Sequence, residues 1–152
     1  MKKTSLVLLI VFIAIQFIQP PRNINAQVMP ADIKKYFSVP ARVEGILKTS
    51  CYDCHSNNTN YRWYANIQPV GWILANHIND GKADLNFDEF GNYSKRMWLS
   101  KLKAIGSSVK DGTMPLSSYT LLHQEAKLSK ENKALIIEWA TNTRDSLDTK
   151  NK

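Results

Sequence analysis

Cys51-Tyr52-Asp53-Cys54-His55 is the stretch from which the rest of the chain is read. It has the form C-x-x-C-H, the spacing of a c-type haem attachment site. Two thiols three residues apart lie on one face of a helical turn. From there they can add across the two vinyl groups of one porphyrin edge. The next residue, His55, then falls under the iron and can supply the proximal imidazole nitrogen.

Other uses of two cysteines fit less well. A zinc site wants a second ligand pair, but the sequence holds two cysteines and three histidines. A thioredoxin-like C-x-x-C wants a preceding strand and a βαβ pattern, and neither is visible. A disulfide in an exported protein is the alternative, but it leaves His55 unexplained and closes a loop too small to constrain the unfolded chain much.

With 152 residues and 17.3 kDa the chain has room for one ordinary domain, and 43% apolar residues are enough for a core. No internal repeat or low-complexity tract interrupts it. Lys2 and Lys3 precede Leu6 to Ile18, apolar except for Gln16. Those residues would reach only about 20 Å as a helix, against roughly 30 Å of hydrocarbon. Residues 1–26 are therefore expected to be a signal peptide cut after Ala26, with a short uncleaved membrane anchor as the alternative. Both place the domain outside the cytoplasm, in the periplasm or cell envelope, where covalent haem attachment takes place. Residues 1–26 carry Lys2, Lys3 and Arg22 and no acid, so their removal takes the net charge from +7 to +4. That is too mild and scattered for nucleic-acid binding. The partner expected is a redox protein of unstated identity, with membrane contact only through the N-terminal segment.

Residues 27–39 read as a linker closed by Pro40. Val43, Ile46 and Leu47 give an apolar stripe on a helix leading into Cys51, with Gly45 expected to admit a neighbouring helix. Ser56 to Asn60 is polar and loop-like. Pro69, in a Gln-Pro-Val-Gly loop, offers a carbonyl to the second ring nitrogen of His55. A helix is expected from Trp72 to Asn79, ended by Gly81. Asp84 to Asp88 imitates a calcium loop but puts Glu89 at the glycine position; Asn86 capping a helix with Glu89 is the better account. Tyr93 to Lys110 carries Met97, Trp98, Leu102, Ile105 and Val109 at helical spacing. Ser129 then caps a last helix with Leu135, Ile136, Trp139 and Ala140 apolar. Residues 146–152 form a polar tail.

Met114, in the turn Gly112-Thr113-Met114-Pro115, offers a soft thioether to the iron face opposite His55. His77 competes for that post. Trp72, Trp98 and Tyr119 are candidates to line the haem pocket, while Arg62, Arg96 and His123 could meet propionates.

Together these stretches resemble class I c-type cytochromes. More narrowly, Cys51 to Asn57, Pro69 to Trp72, Leu85-Asn86-Phe87 and Met114 to Tyr119 are similar to the exported haem-binding domain family of bacteria, over roughly residues 40–145. The resemblance implies an all-α fold around one covalent haem c. Cys51 and Cys54 would hold it, with His55 proximal and Met114 distal. An iron saturated by His55 and Met114 would have no open site, so electron transfer is the expected role; a haem-based gas or redox sensor is the alternative, and a peroxidase-like enzyme a more distant one.

Overall fold

The computed structural model describes residues 2–25, 27 and 29–149. The cleavage point expected after Ala26 and residues 150–152 of the expected tail fall outside them. Seven α-helices and no strand occur among the described residues, an all-α fold. They are α1 (Lys2–Ile15), α2 (Ala41–Ser50), α3 (Tyr52–His55), α4 (Val70–Asp84), α5 (Lys95–Asp111), α6 (Ser117–Leu122) and α7 (Lys130–Thr149). No described helix is long and apolar enough to cross a membrane.

The core forms where α5 packs on α7 and α2 closes over them. On α5, Leu102, Ile105 and Val109 recur one turn apart on a single stripe and are buried. Ile136, Trp139 and Ala140 of α7 meet them, with Val43 and Leu47 of α2. Each such large side chain contributes roughly 1.5–3 kcal/mol by leaving water. Ser94 opens α5 by accepting from the Met97 amide at 3.4 Å, and Gly112 at φ 72° closes it in the left-handed region that favours glycine.

Several expectations are revised. The segment 27–39 is part of the core rather than a spacer, because Ile33 is fully buried and Phe37 and Val39 pack beside it. Its aperiodic apolar residues are anchored one at a time, which no periodicity reveals. Helix α4 runs through Gly81 to Asp84, since the glycine keeps helical backbone geometry and serves a close approach instead. Gly45 has open space around it and admits no neighbouring helix. Asn86 does cap, but it caps a short 3-10 helix, Phe87–Asn92, by accepting from Asp88. Helix α7 continues past Asp145, with Leu147 packed on the core.

Candidate cofactor site

Helix α2 delivers the chain into Cys51, whose amide bonds the Leu47 carbonyl at 2.9 Å. The next turn, α3, is closed by the amides of Cys54 and His55, both reaching back to the Cys51 carbonyl at 3.2 and 3.0 Å. That turn sets both free thiols and the imidazole on one short arc. Burial pushes the Cys51 thiol up to about 12, and burial followed by the nearby Asp53 charge pushes Cys54 up to about 11. Both are therefore neutral thiols at physiological pH.

The Nδ1 of His55 lies 2.8 Å from the Gly81 carbonyl and 3.0 Å from that of Leu85. Both partners can only accept, so Nδ1 carries the proton and Nε2 the lone pair. The acceptor expected at Pro69 is not used; its carbonyl takes the amides of Trp72 and Ile73 within α4. Sequence reasoning missed Gly81 and Leu85 because a carbonyl acceptor leaves no trace in residue identity. Gly81 did carry one signal, a glycine inside a helix. A Cβ there would stand 2.7 Å from the Cys54 carbonyl and 3.1 Å from the Cys54 Cβ, so only glycine lets α4 lie against the attachment turn.

His55 and Cys51 line two adjoining cavities of about 290 and 270 Å³, which also share Ser50, Asp84, Met114 and Pro115. The first is walled by Leu47, Phe87, Ile105, Val109 and Ile136, all members of the hydrophobic core. Lys101 brings it a positive charge. The second adds Cys54, His77, Asp80 and Tyr119. Together they make a cleft of the size and apolar character of a cofactor site. Met114 is carried there by the turn that ends α5, its amide 3.3 Å from the Ser108 carbonyl.

The structure thus brings Cys51, Cys54, His55, Met114, His77 and Tyr119 to one cleft. Trp72 and Trp98 lie elsewhere: their indoles donate to the Ile18 carbonyl at 2.8 Å and to the Phe90 carbonyl at 2.7 Å. Trp98 is drawn into an aromatic group with Tyr36 and Phe37. Arg62 is engaged by Glu125, and Arg96 is exposed and outside the cleft lining. His123 is buried, stacked on Tyr119 at 4.1 Å and hydrogen-bonded to Tyr64. Tyr119 in turn donates to Asp53 at 2.8 Å, tying α6 to the attachment turn.

These residues suit a haem. Two neutral thiols stand beside an imidazole of fixed tautomer, a thioether arrives from another element, and the wall between is apolar. Among the described residues no three His, Cys, Asp or Glu side chains gather to hold a bare metal ion. No curated protein and no solved structure matches the chain. A family model described as the haem-binding domain matches residues 10–142, which spans the C-x-x-C-H turn and the whole cleft, and the protein belongs to that haem-binding domain family.

Proposed function

We propose that the protein is a single-haem electron carrier of the cell envelope, holding haem c through thioethers at Cys51 and Cys54. The observation that carries this reading is the fixing of His55 by Gly81 and Leu85, beside two thiols and in one cleft with Met114. When bound, haem supplies one-electron chemistry. The Gly81 and Leu85 carbonyls orient His55 so that Nε2 would be free to hold the haem iron. It keeps water from one face with Leu47, Phe87, Ile105, Val109 and Ile136.

Met114 is the better sixth ligand on positional grounds. Helix α4 packs against the His55 turn, and its Gly81 carbonyl accepts from Nδ1, which leaves Nε2 as the nitrogen that would hold iron. His77 lies one turn before Gly81 on that same helix. Met114 comes from the loop between α5 and α6. With His55 and Met114 both holding the iron, no position would stay open for substrate, which would suit electron transfer. Export is supported by the basic and then apolar start of the chain.

Oxidised-state spectra of wild type, Met114→Ala and His77→Ala test the assignment. Wild type and His77→Ala should share the weak red-edge methionine-to-iron band, and Met114→Ala should lose it. A wild type without that band, turned high-spin only by His77→Ala, overturns it. Rapid saturation of the reduced wild type with carbon monoxide would replace the carrier with the sensor reading.

A further inference from the structure

The residues just after α1 are stitched into the haem domain. The Gln68 amide donates to the Gln16 side chain at 2.9 Å, and the Gln68 side chain donates to that of Gln19 at 2.9 Å. Gln68 is fully buried by these contacts and its own loop. The Trp72 indole donates to the Ile18 carbonyl at 2.8 Å. Asn23 receives the Lys82 ammonium at 2.7 Å and donates its side-chain amide to the Ser56 carbonyl and the Thr59 hydroxyl, each at 2.9 Å. Ser56 follows His55 directly. Cutting after Ala26 would remove every one of these partners and bare the polar groups they cover.

Helix α1, which leads into this strap, presents the opposite character. Leu6 to Ile13 are each 47–66% exposed, so the apolar surface runs all round the helix rather than along one stripe. A groove in a protein partner covers one side of a helix; a lipid bilayer covers all of them. No charged residue occurs from Thr4 to Pro21. The apolar surface continues past the helix: Phe17 is 83% exposed and Trp63 74%, with Ile67, Val70 and Ile73 exposed beside Gln68 and Trp72. Tryptophan at the mouth of an apolar helix is the usual residue of the membrane interface.

We propose that residues 16–25 remain part of the mature protein as a strap. Helix α1 and the rim of Phe17, Trp63, Ile67, Val70 and Ile73 then dock the haem domain on a lipid bilayer in one orientation. Fourteen residues give about 21 Å of helix, about 9 Å less than the hydrocarbon layer. Helix α1 is therefore too short to cross that layer; it enters from one side, with the rim at headgroup level. This deepens the envelope location proposed above, while depending on neither the axial ligand nor the redox role.

The full chain, produced in a bacterium equipped for covalent haem attachment, should be recovered intact in the membrane fraction. It should resist a carbonate wash, dissolve in detergent and stain for haem. A haem-stained soluble chain beginning near Gln27 overturns the proposal, and so does release by carbonate as a soluble oligomer of α1 with itself. An intact membrane-bound chain without haem supports the docking and defeats the haem assignment, so the two fail separately. In phosphatidylcholine vesicles with brominated acyl chains, wild-type tryptophan fluorescence should be quenched, and Trp63→Phe should remove most of that quenching. Equal quenching in both overturns the role of the rim.

Discussion

The carbonyl of Gly81 accepts from Nδ1 of His55 at 2.8 Å, while the Cα of the same glycine lies against the backbone of Cys54. One residue thus orients the imidazole and sets the spacing between α4 and the attachment turn. Gly81→Ala should therefore do more harm than its helix propensity suggests. Its methyl must push α4 away from Cys54, and about 2 kcal/mol of stability should be lost with the His55 bond. Gly45→Ala, at a helical glycine with open space, should instead gain about 0.5–1 kcal/mol. Haem per chain should fall only in the first variant. Equal denaturation midpoints for the two would show that the close approach is not tight in solution.

The two cysteines are expected to be the only covalent hold on haem. In the double variant Cys51→Ala, Cys54→Ala, acid-acetone should extract all haem, whereas wild type should retain it. Haem resisting extraction in that variant would place the linkage at another residue.

Among the described residues the hydroxyl of Tyr52 is buried without a hydrogen-bond partner, its ring stacked on Phe87 at 4.9 Å. An unsatisfied buried hydroxyl costs more than it returns. Tyr52→Phe keeps the stack and should raise unfolding free energy by about 1 kcal/mol in urea titrations. A loss of stability on this change would reveal a partner for the hydroxyl.

Burial, with help from the Arg62 guanidinium, holds His123 below the ordinary imidazole value, against the opposing pull of Glu125 and Asp53. The folded protein therefore keeps this ring neutral between Tyr64 and Tyr119, while the unfolded chain takes a proton near pH 6.5. Below about that pH the unfolded state binds more protons, so stability falls as pH falls. The melting temperature should drop between pH 7.5 and 5.5, and His123→Gln should flatten that slope. Identical slopes in the two proteins would assign the pH dependence to other groups.

The helices that carry periodic apolar residues were legible before any coordinates. Trp98, Leu102, Ile105 and Val109 announce α5, and Leu135, Ile136, Trp139 and Ala140 announce α7, because a stripe repeating every turn has few other uses. The C-x-x-C-H turn stood out for a different reason: residue types at fixed spacing, which the structure gathers into one helical turn. The contacts that act through backbone did not stand out. Gly81 and Leu85 serve His55 by carbonyls that any residue possesses. Ile33 enters the core from a stretch without period, and Trp72 and Trp98 were misplaced because a tryptophan's composition says nothing of which wall it covers. The docked course of Gln16 to Asn25 was hidden under a pattern that also describes a disposable leader.

Leu47, Phe87, Ile105, Val109 and Ile136 belong both to the core and to the wall of the cleft. A haem held in that cleft would therefore pack against the same side chains that hold the helices together. A chain that fails to acquire it displays its own interior to proteases and to other chains in the same compartment. Binding the group would then supply stability as well as chemistry, from the same five side chains.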